Sequence, residues 1–348
     1  MSAHQRIANR AVASGGRRWR PTAAAMGVGV LMAVGGAAPA GAAAPATVPA
    51  SGAAACALDP GPDEVFITSG GVERRTLVHV PTEVTPGRPL AVVLDLHGSS
   101  STPEEQLARS GLAATAQEEG FIVAAPQGGL PSGAGWAWNV PHVTTAPDAP
   151  DDEAFLSELI DALVASGCVD ARRVYAAGYS GGGRMISQYA CDNPDRFAAI
   201  APVAGLRAGA PLPADTSQPD MATCDPVSIV PVVTFHGTAD VVNWYDGGGL
   251  FPYWGYSVAT ALGRWAQINQ CRQAPVTTQL TEHVTVTSYR ACRANADTVL
   301  YTIIGGGHTW PGSDPTLYPA ALLPVTQEIH ASAIMWDFFD TRVRAGGV

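Results

Sequence analysis

A serine set among glycines, an aspartate and a histidine, in that order along the chain, are the residues of this sequence that could do chemistry together. Gly178-Tyr179-Ser180-Gly181-Gly182 matches G-x-S-x-G and stands between Arg173 to Tyr179, which reads as a strand, and Gly182 to Ala190, which reads as a helix. A sharp turn between strand and helix projects the hydroxyl, and only glycine fits its crowded flanks. The hydroxyl becomes a nucleophile when a base takes its proton, and the base needs an acid to hold its tautomer. Asp240, in His236-Gly237-Thr238-Ala239-Asp240, and His308, in Gly305-Gly306-Gly307-His308-Thr309-Trp310, supply both, each after an apolar strand. Asp246 is the rival acid, and an Asp at position 240 could also serve only as a turn former. The implied reaction is attack on a carbonyl, whose developing charge needs two backbone N–H donors. Gly181 is expected to give one and Ser99, in His97-Gly98-Ser99, the other, with Gly98 the second choice in that loop.

These residues need a scaffold, and the pattern of apolar runs provides one. Val65 to Thr68 and Arg75 to Val80 read as an antiparallel edge. Leu90 to Leu96 is a near-continuous apolar run, the signature of a strand covered on both faces, and Pro103 to Glu119 follows as a helix opened by Thr102-Pro103. Phe121 to Ala125 is again a buried strand, and Asp151 to Ala165 a helix with acids in its first turn. Strands at Ala198 to Val203, Val230 to His236, Thr285 to Tyr289 and Val299 to Ile304 continue the series, with helices at Ser257 to Asn269 and Glu328 to Arg342. The alternation predicts an α/β fold, a mostly parallel central sheet with helices on both faces, in one domain from residue 59 to 348. Reactive groups of such sheets sit at the carboxyl ends of the strands, where Ser180, Asp240 and His308 all fall.

Trp136, Trp138, Trp244, Trp254 and Trp310 fall in predicted loops, several of which leave that same sheet edge. Aromatic loop residues suit a flat substrate, a ring or a sugar face, and Trp310, Trp136 and Trp138 are the expected substrate contacts. The other histidines, His97 and His236 among them, are expected to make structural hydrogen bonds. No H-E-x-x-H occurs and the carboxylates lack metal-loop spacing, so no metal and no cofactor are expected.

Composition removes whole classes of function. All 20 basic residues are Arg, and without Lys neither a P-loop phosphate site nor Schiff-base chemistry is available. Beyond residue 58 the chain carries 15 Arg against 30 acids, with no Arg cluster larger than a pair, so nucleic acid is excluded as a partner. Before it, Arg17 to Arg20 lead into an apolar, Ala-rich stretch that ends near Ala40-Gly41-Ala42, the small-x-small pattern of a signal peptide over residues 1–42. A membrane anchor is the competing reading of that stretch, a lipoprotein would use Cys56, and Arg17-Arg18 suggests the twin-arginine route. Residues 43–58 read as a flexible Ala/Pro-rich lead-in. Export makes disulfides the expected state of the 6 Cys, with Cys271 to Cys292 the favoured pair. A secreted monomer, free of the membrane once its signal is removed, is expected.

Taken together, LDLHGSS, APQGG, GWAWN, CVDARRVYAAGYSGGGRMISQYACDNPDRFAAIAPVAG, HGTAD and GGGHTWPG resemble one family over roughly residues 60 to 340. It is that of the secreted esterases grouping poly(3-hydroxybutyrate) depolymerases with the feruloyl and acetylxylan esterases of carbohydrate esterase family one. The resemblance implies an α/β-hydrolase fold and carries a catalytic triad onto Ser180, Asp240 and His308. Members often have Asn after the nucleophile, where this chain has Gly181. The chain ends soon after its last predicted helix, which leaves no room for the polymer-binding module usual in polyester depolymerases. Feruloyl or acetyl esters of cell-wall xylan are therefore favoured over polyester. A peptidase is a third possibility on the same fold, although no propeller or lid domain is present to restrict entry. From another class, a catalytically inactive carbohydrate-binding protein would fail to react with a fluorophosphonate probe.

Overall fold

Buried apolar runs decide where this chain forms strands. In Leu90–Leu96, Val92, Leu94 and Leu96 face one core cluster while Ala91 and Val93 face another, so helices must cover both sides. The computed structural model describes residues 56–83, 87–143, 148–249 and 251–344; the expected signal segment and most of the lead-in lie outside them. Residues Ala53 to Val348 form one compact unit.

Ten strands build the main sheet. In chain order they are β1 (Gly61–Ser69), β2 (Val72–Val80), β3 (Leu90–Leu96), β4 (Ile122–Pro126), β5 (Val169–Tyr179), β6 (Ala199–Val203), β7 (Val232–Gly237), β8 (Val276–Thr281), β9 (Val284–Tyr289) and β10 (Thr298–Ile303). They lie in the order β1-β2-β4-β3-β5-β6-β7-β10-β9-β8. The six from β4 to β10 across the middle are parallel, and an antiparallel hairpin closes each side. Helices α1 (Pro103–Ser110), α2 (Leu112–Glu119), α3 (Asp152–Ala165), α4 (Gly181–Asp192), α5 (Val258–Ile268) and α6 (Ala331–Asp340) complete the fold. Phe155, Leu159, Met185, Ile186 and Trp265 of α3, α4 and α5 fill one core, while Leu112, Ala116, Trp336 and Phe339 of α2 and α6 fill the other. This is the expected α/β architecture.

Three local expectations need correction. The helix predicted from Pro103 to Glu119 is two helices, because Gly111 takes φ 63° and its N–H bonds to Leu107 O, ending α1 and starting α2. The closing helix starts at Ala331 and not at Glu328. The Glu328 carboxylate instead receives the Thr281 hydroxyl and the His283 N–H, tying that segment to the β8–β9 hairpin. The polar strand β8 carries no alternation and is absent from the sequence reading.

All six Cys are paired, Cys56 with Cys168, Cys191 with Cys224 and Cys271 with Cys292, the last being the favoured pair.

One acid interrupts the β3 core. Asp95 is fully buried and accepts hydrogen bonds from Gln106 Nε2 (2.7 Å) and Ser110 Oγ (2.6 Å) of α1. Burial pushes its carboxyl up to about 7, against those hydrogen bonds and the charge of Arg109. The folded chain then holds a proton that the unfolded chain has released, so stability falls as pH rises from about 4 to about 7 and levels off above. Asp95→Asn is expected to flatten that slope, worth up to about 4 kcal/mol if the whole shift is expressed. Guanidinium unfolding of both proteins at pH 5 and pH 8 checks it; an unchanged slope would assign the pH dependence to other groups.

Candidate active site

The turn after β5 sets the geometry. Ser180 has φ 52° and ψ −111°, and its N–H bonds to Val203 O (2.9 Å) at the end of β6. A side chain with β-carbon at position 182 would place that carbon 2.3 Å from Leu96 O, so the backbone of α4 can approach β3 only through glycine. The outcome is a serine at the head of α4, 7% exposed, opening into a cavity of about 690 Å³.

His308 and Asp240 come from the neighbouring strand ends. Asp240 follows β7, and its Oδ1 accepts the N–H groups of Val242 and Asn243, both at 2.8 Å, which fixes the carboxylate. Its Oδ2 takes His308 Nδ1 at 2.6 Å and lies 3.2 Å from His236 Nε2. Burial alone would raise the Asp240 pKa, but the hydrogen bonds from His236 and His308 hold it well below the ordinary carboxylate range. It is ionised at neutral pH. With Nδ1–H given to Asp240, His308 Nε2 is free to act as a base. Tyr179, the residue before the nucleophile, donates its hydroxyl to His308 O (2.6 Å) and stacks near the imidazole, with ring centroids 5.1 Å apart. Ser180 and His308 line the same cavity without a direct hydrogen bond between them, a contact of the kind that tightens when substrate is bound. Asp246 is exposed and makes no ion pair among the described residues.

The loop after β3 brings the second N–H. Ser99 N lies 3.1 Å from where a β-carbon on Gly181 would stand, and no acceptor among the described residues takes the N–H of either residue. Both N–H groups are thus left without a protein acceptor beside Ser180. His97 holds the loop from behind: its Nδ1–H is directed at Gly98 O (2.7 Å) and its Nε2 accepts Gly128 N–H (3.0 Å). Burial lowers the His97 pKa to about 4, so the ring stays neutral and keeps that tautomer.

The three tryptophans expected to touch substrate do not line the cavity. Trp138 is buried and donates its indole N–H to His97 O (2.8 Å), bracing the Ser99 loop. Trp136 pairs its backbone with Ser101 on the same loop, and Trp310 is buried with its indole N–H on Ser332 Oγ (3.1 Å). The indole N–H groups of Trp138 and Trp310 are satisfied inward, which leaves nothing to draw those rings to the mouth. The aromatic wall is made by Tyr179, Phe251, Tyr253 and Tyr318 instead. Sequence reasoning also missed Arg184 and Arg109, which line the cavity. Arg184 could have been found from its spacing, since it stands four residues after Ser180 and so on the same face of α4.

Gly181 is where the sequence departs from its resembling family, and the structure gives the reason. A β-carbon there would stand 2.5 Å from Ser99 Oγ and 3.5 Å from Arg184 Nη2. Gly181→Ala is expected to push Ser99 aside and lower kcat/KM on a neutral ester by about tenfold, or ~1.4 kcal/mol. Adding Ser99→Gly should recover most of the loss, because the N–H remains when the hydroxyl is removed. A double variant as impaired as the single would place the damage elsewhere.

Residues 109–208, which span β4, β5, the Ser180 turn and α4, match the family model described as "Prolyl oligopeptidase family". The chain is 31% identical over 274 residues to NocK of Nocardia uniformis subsp. tsuyamanensis, which is named as an esterase, covering 72% of this chain and 74% of that one. It is 32% identical over 241 residues to a protein named feruloyl esterase B from Piromyces equi, covering 68% of this chain and 42% of that one. It therefore spans less than half the length of the Piromyces protein. Among solved structures, an acetyl xylan esterase from Aspergillus awamori superposes with a TM-score of 0.54 at 19% identity, covering 80% of this chain and 99% of that one. That likeness speaks for the fold.

Proposed function

This chain belongs to the esterases of the α/β-hydrolase family, and from that premise we propose that it is an exported enzyme that cleaves feruloyl or acetyl esters of cell-wall xylan. Its reaction is that of a serine ester hydrolase. In our reading His308 Nε2 takes the proton of Ser180 Oγ as the oxygen attacks the ester carbonyl, and Asp240 holds the His308 tautomer. The N–H groups of Gly181 and Ser99 receive the oxyanion, and His308 returns the proton to the departing alcohol. Water, deprotonated by His308, then releases the acid from the acyl-enzyme.

The observation that carries this reading is the 2.6 Å contact between His308 Nδ1 and Asp240, at the cavity that Ser180 and Ser99 also line. Four aromatic side chains on the cavity wall support a flat acyl group or a sugar face. Three disulfides support passage through an oxidising compartment. No helix among the described residues is long and apolar enough to cross a membrane.

The test is chromatographic release of ferulate from methyl ferulate and feruloylated arabinoxylan and of acetate from acetylated xylan, beside 3-hydroxybutyrate from amorphous polyester. Release of ferulate or acetate supports the cell-wall reading. Hydroxybutyrate alone would overturn it in favour of a polyester depolymerase.

A further inference from the structure

Three arginines lie near the site, Arg207 and Arg184 buried and Arg109 half-buried, and they differ in what they face. Arg207 is wholly buried, and its Nη1 donates to Trp254 O (2.6 Å) and Tyr256 O (2.9 Å). It is a brace for the loop that carries Tyr253, and it does not line the cavity. Arg184 and Arg109 do line it. Arg184 is 7% exposed, stacks on the Tyr253 ring at 4.4 Å and reaches Ser99 Oγ only at 3.4 Å, with its Nε unpartnered. Arg109 stacks over Tyr179 at 4.8 Å and Tyr318 at 5.4 Å, and touches Ser101 Oγ and Gln106 Oε1 only at 3.4 Å. Among the described residues no carboxylate stands within ion-pairing distance of either guanidinium. Glu105, the acid on the cavity wall, is taken up by the Ser101 hydroxyl at 2.6 Å.

Beyond residue 58 the chain carries twice as many acids as bases, yet two cations face its reaction cavity with no carboxylate at ion-pairing distance. A buried guanidinium in that state is costly unless an anion arrives to pair with it. Burial lowers the Arg184 pKa, as expected for a charge stripped of water, yet a guanidinium stays protonated in a protein. Its planar fork matches a carboxylate bidentately.

We propose that Arg184, assisted by Arg109, forms an anion subsite, and that the preferred substrate is an ester carrying a free carboxylate close to the scissile bond. The inference rests on the cavity being the ester-cleaving site and names the class of ester it takes. An acidic sugar ester and a hydroxy-acid ester with a free acid end both have this chemistry.

Paired substrates test it and locate the charge. In one arm the carboxylate is on the acyl side, monoethyl succinate against ethyl butyrate, followed by ethanol release. In the other it is on the alcohol side, acetoxyacetate against methyl acetoxyacetate, followed by acetate release. The wild-type enzyme should prefer the charged partner at least tenfold in kcat/KM in one arm, mainly through KM, and the preference should shrink as salt is added. Arg184→Met should reduce that ratio at least tenfold, and Arg184→Lys, which keeps the charge without the fork, should stand between. No preference in either wild-type arm would overturn the subsite. So would an equal loss on charged and neutral esters in Arg184→Met, which would make Arg184 only a support for Ser99. Labelling of wild-type Ser180 by an uncharged fluorophosphonate separates the two readings. A labelled enzyme that cleaves ethyl butyrate without charge preference sinks the subsite alone, whereas an unlabelled, inactive one sinks the esterase site itself.

Discussion

Ser180→Ala is expected to lower kcat by about 10⁴- to 10⁶-fold on any ester the enzyme cleaves, while leaving the unfolding midpoint nearly unchanged. The size follows from what is removed: without Oγ no acyl-enzyme forms, and only the N–H donors and binding remain to favour hydrolysis by water. The small effect on stability follows from the local structure. The turn is held by Ser180 N–H on Val203 O and by the glycine contacts around it, none of which uses the hydroxyl. Steady-state kinetics with active-site titration by a fluorophosphonate checks the expectation. Turnover retained within tenfold of wild type would take the nucleophile away from position 180.

Asp240→Asn should be nearly as severe, about 10⁴-fold in kcat, with Asp246→Asn within about twofold of wild type. The carboxylate serves donors on both oxygens, backbone N–H groups at Oδ1 and two imidazoles at Oδ2. An amide has one oxygen, so it must turn its NH₂ toward one of those groups of donors. Facing His308, it favours the tautomer with the proton on Nε2, which cannot accept a proton from serine. Facing the backbone, it leaves buried N–H groups opposed to a donor and unseats the loop. Kinetics of both variants on one neutral ester decides; the reverse ranking would move the acid to position 246.

The residues proposed to do chemistry were legible because their constraints are local. A serine in a left-handed turn needs glycines around it, and an acid and base after buried strands fall at one sheet edge whatever the loops do. The six central strands were legible because burial on both faces leaves near-continuous apolar runs such as LAVVLDL. What failed was either a local break that periodicity does not register or a choice made by partners distant in sequence. The break at Gly111 costs a helix little in isolation, so the period alone runs through it. The strand Val276–Thr281 has only Val276 and Leu280 as apolar residues and is largely exposed, so pairing with β9 is what makes it a strand. The tryptophans were assigned to substrate because loops suggest exposure, whereas Trp138 and Trp310 find inward acceptors in His97 and Ser332. Arg184 hid in a helix start that reads as glycine followed by packing residues.

The turn that presents Ser180 is clamped by main chain against main chain: position 182 against Leu96 O, and position 205 against Ser180 O. No side chain takes part in the clamp, so it passes unchanged through substitutions that remodel the walls. The walls are the opposite case, being side chains such as Phe251, Tyr253, Leu317 and Tyr318 from separate parts of the chain. Part of the wall is thereby written apart from the nucleophile, while Tyr179 and Arg184 stand beside it on β5 and α4. A library confined to Phe251, Tyr253 and Leu317 should redirect selectivity while the turn that holds Ser180 stays intact, so specificity can drift on this scaffold without that turn being rebuilt.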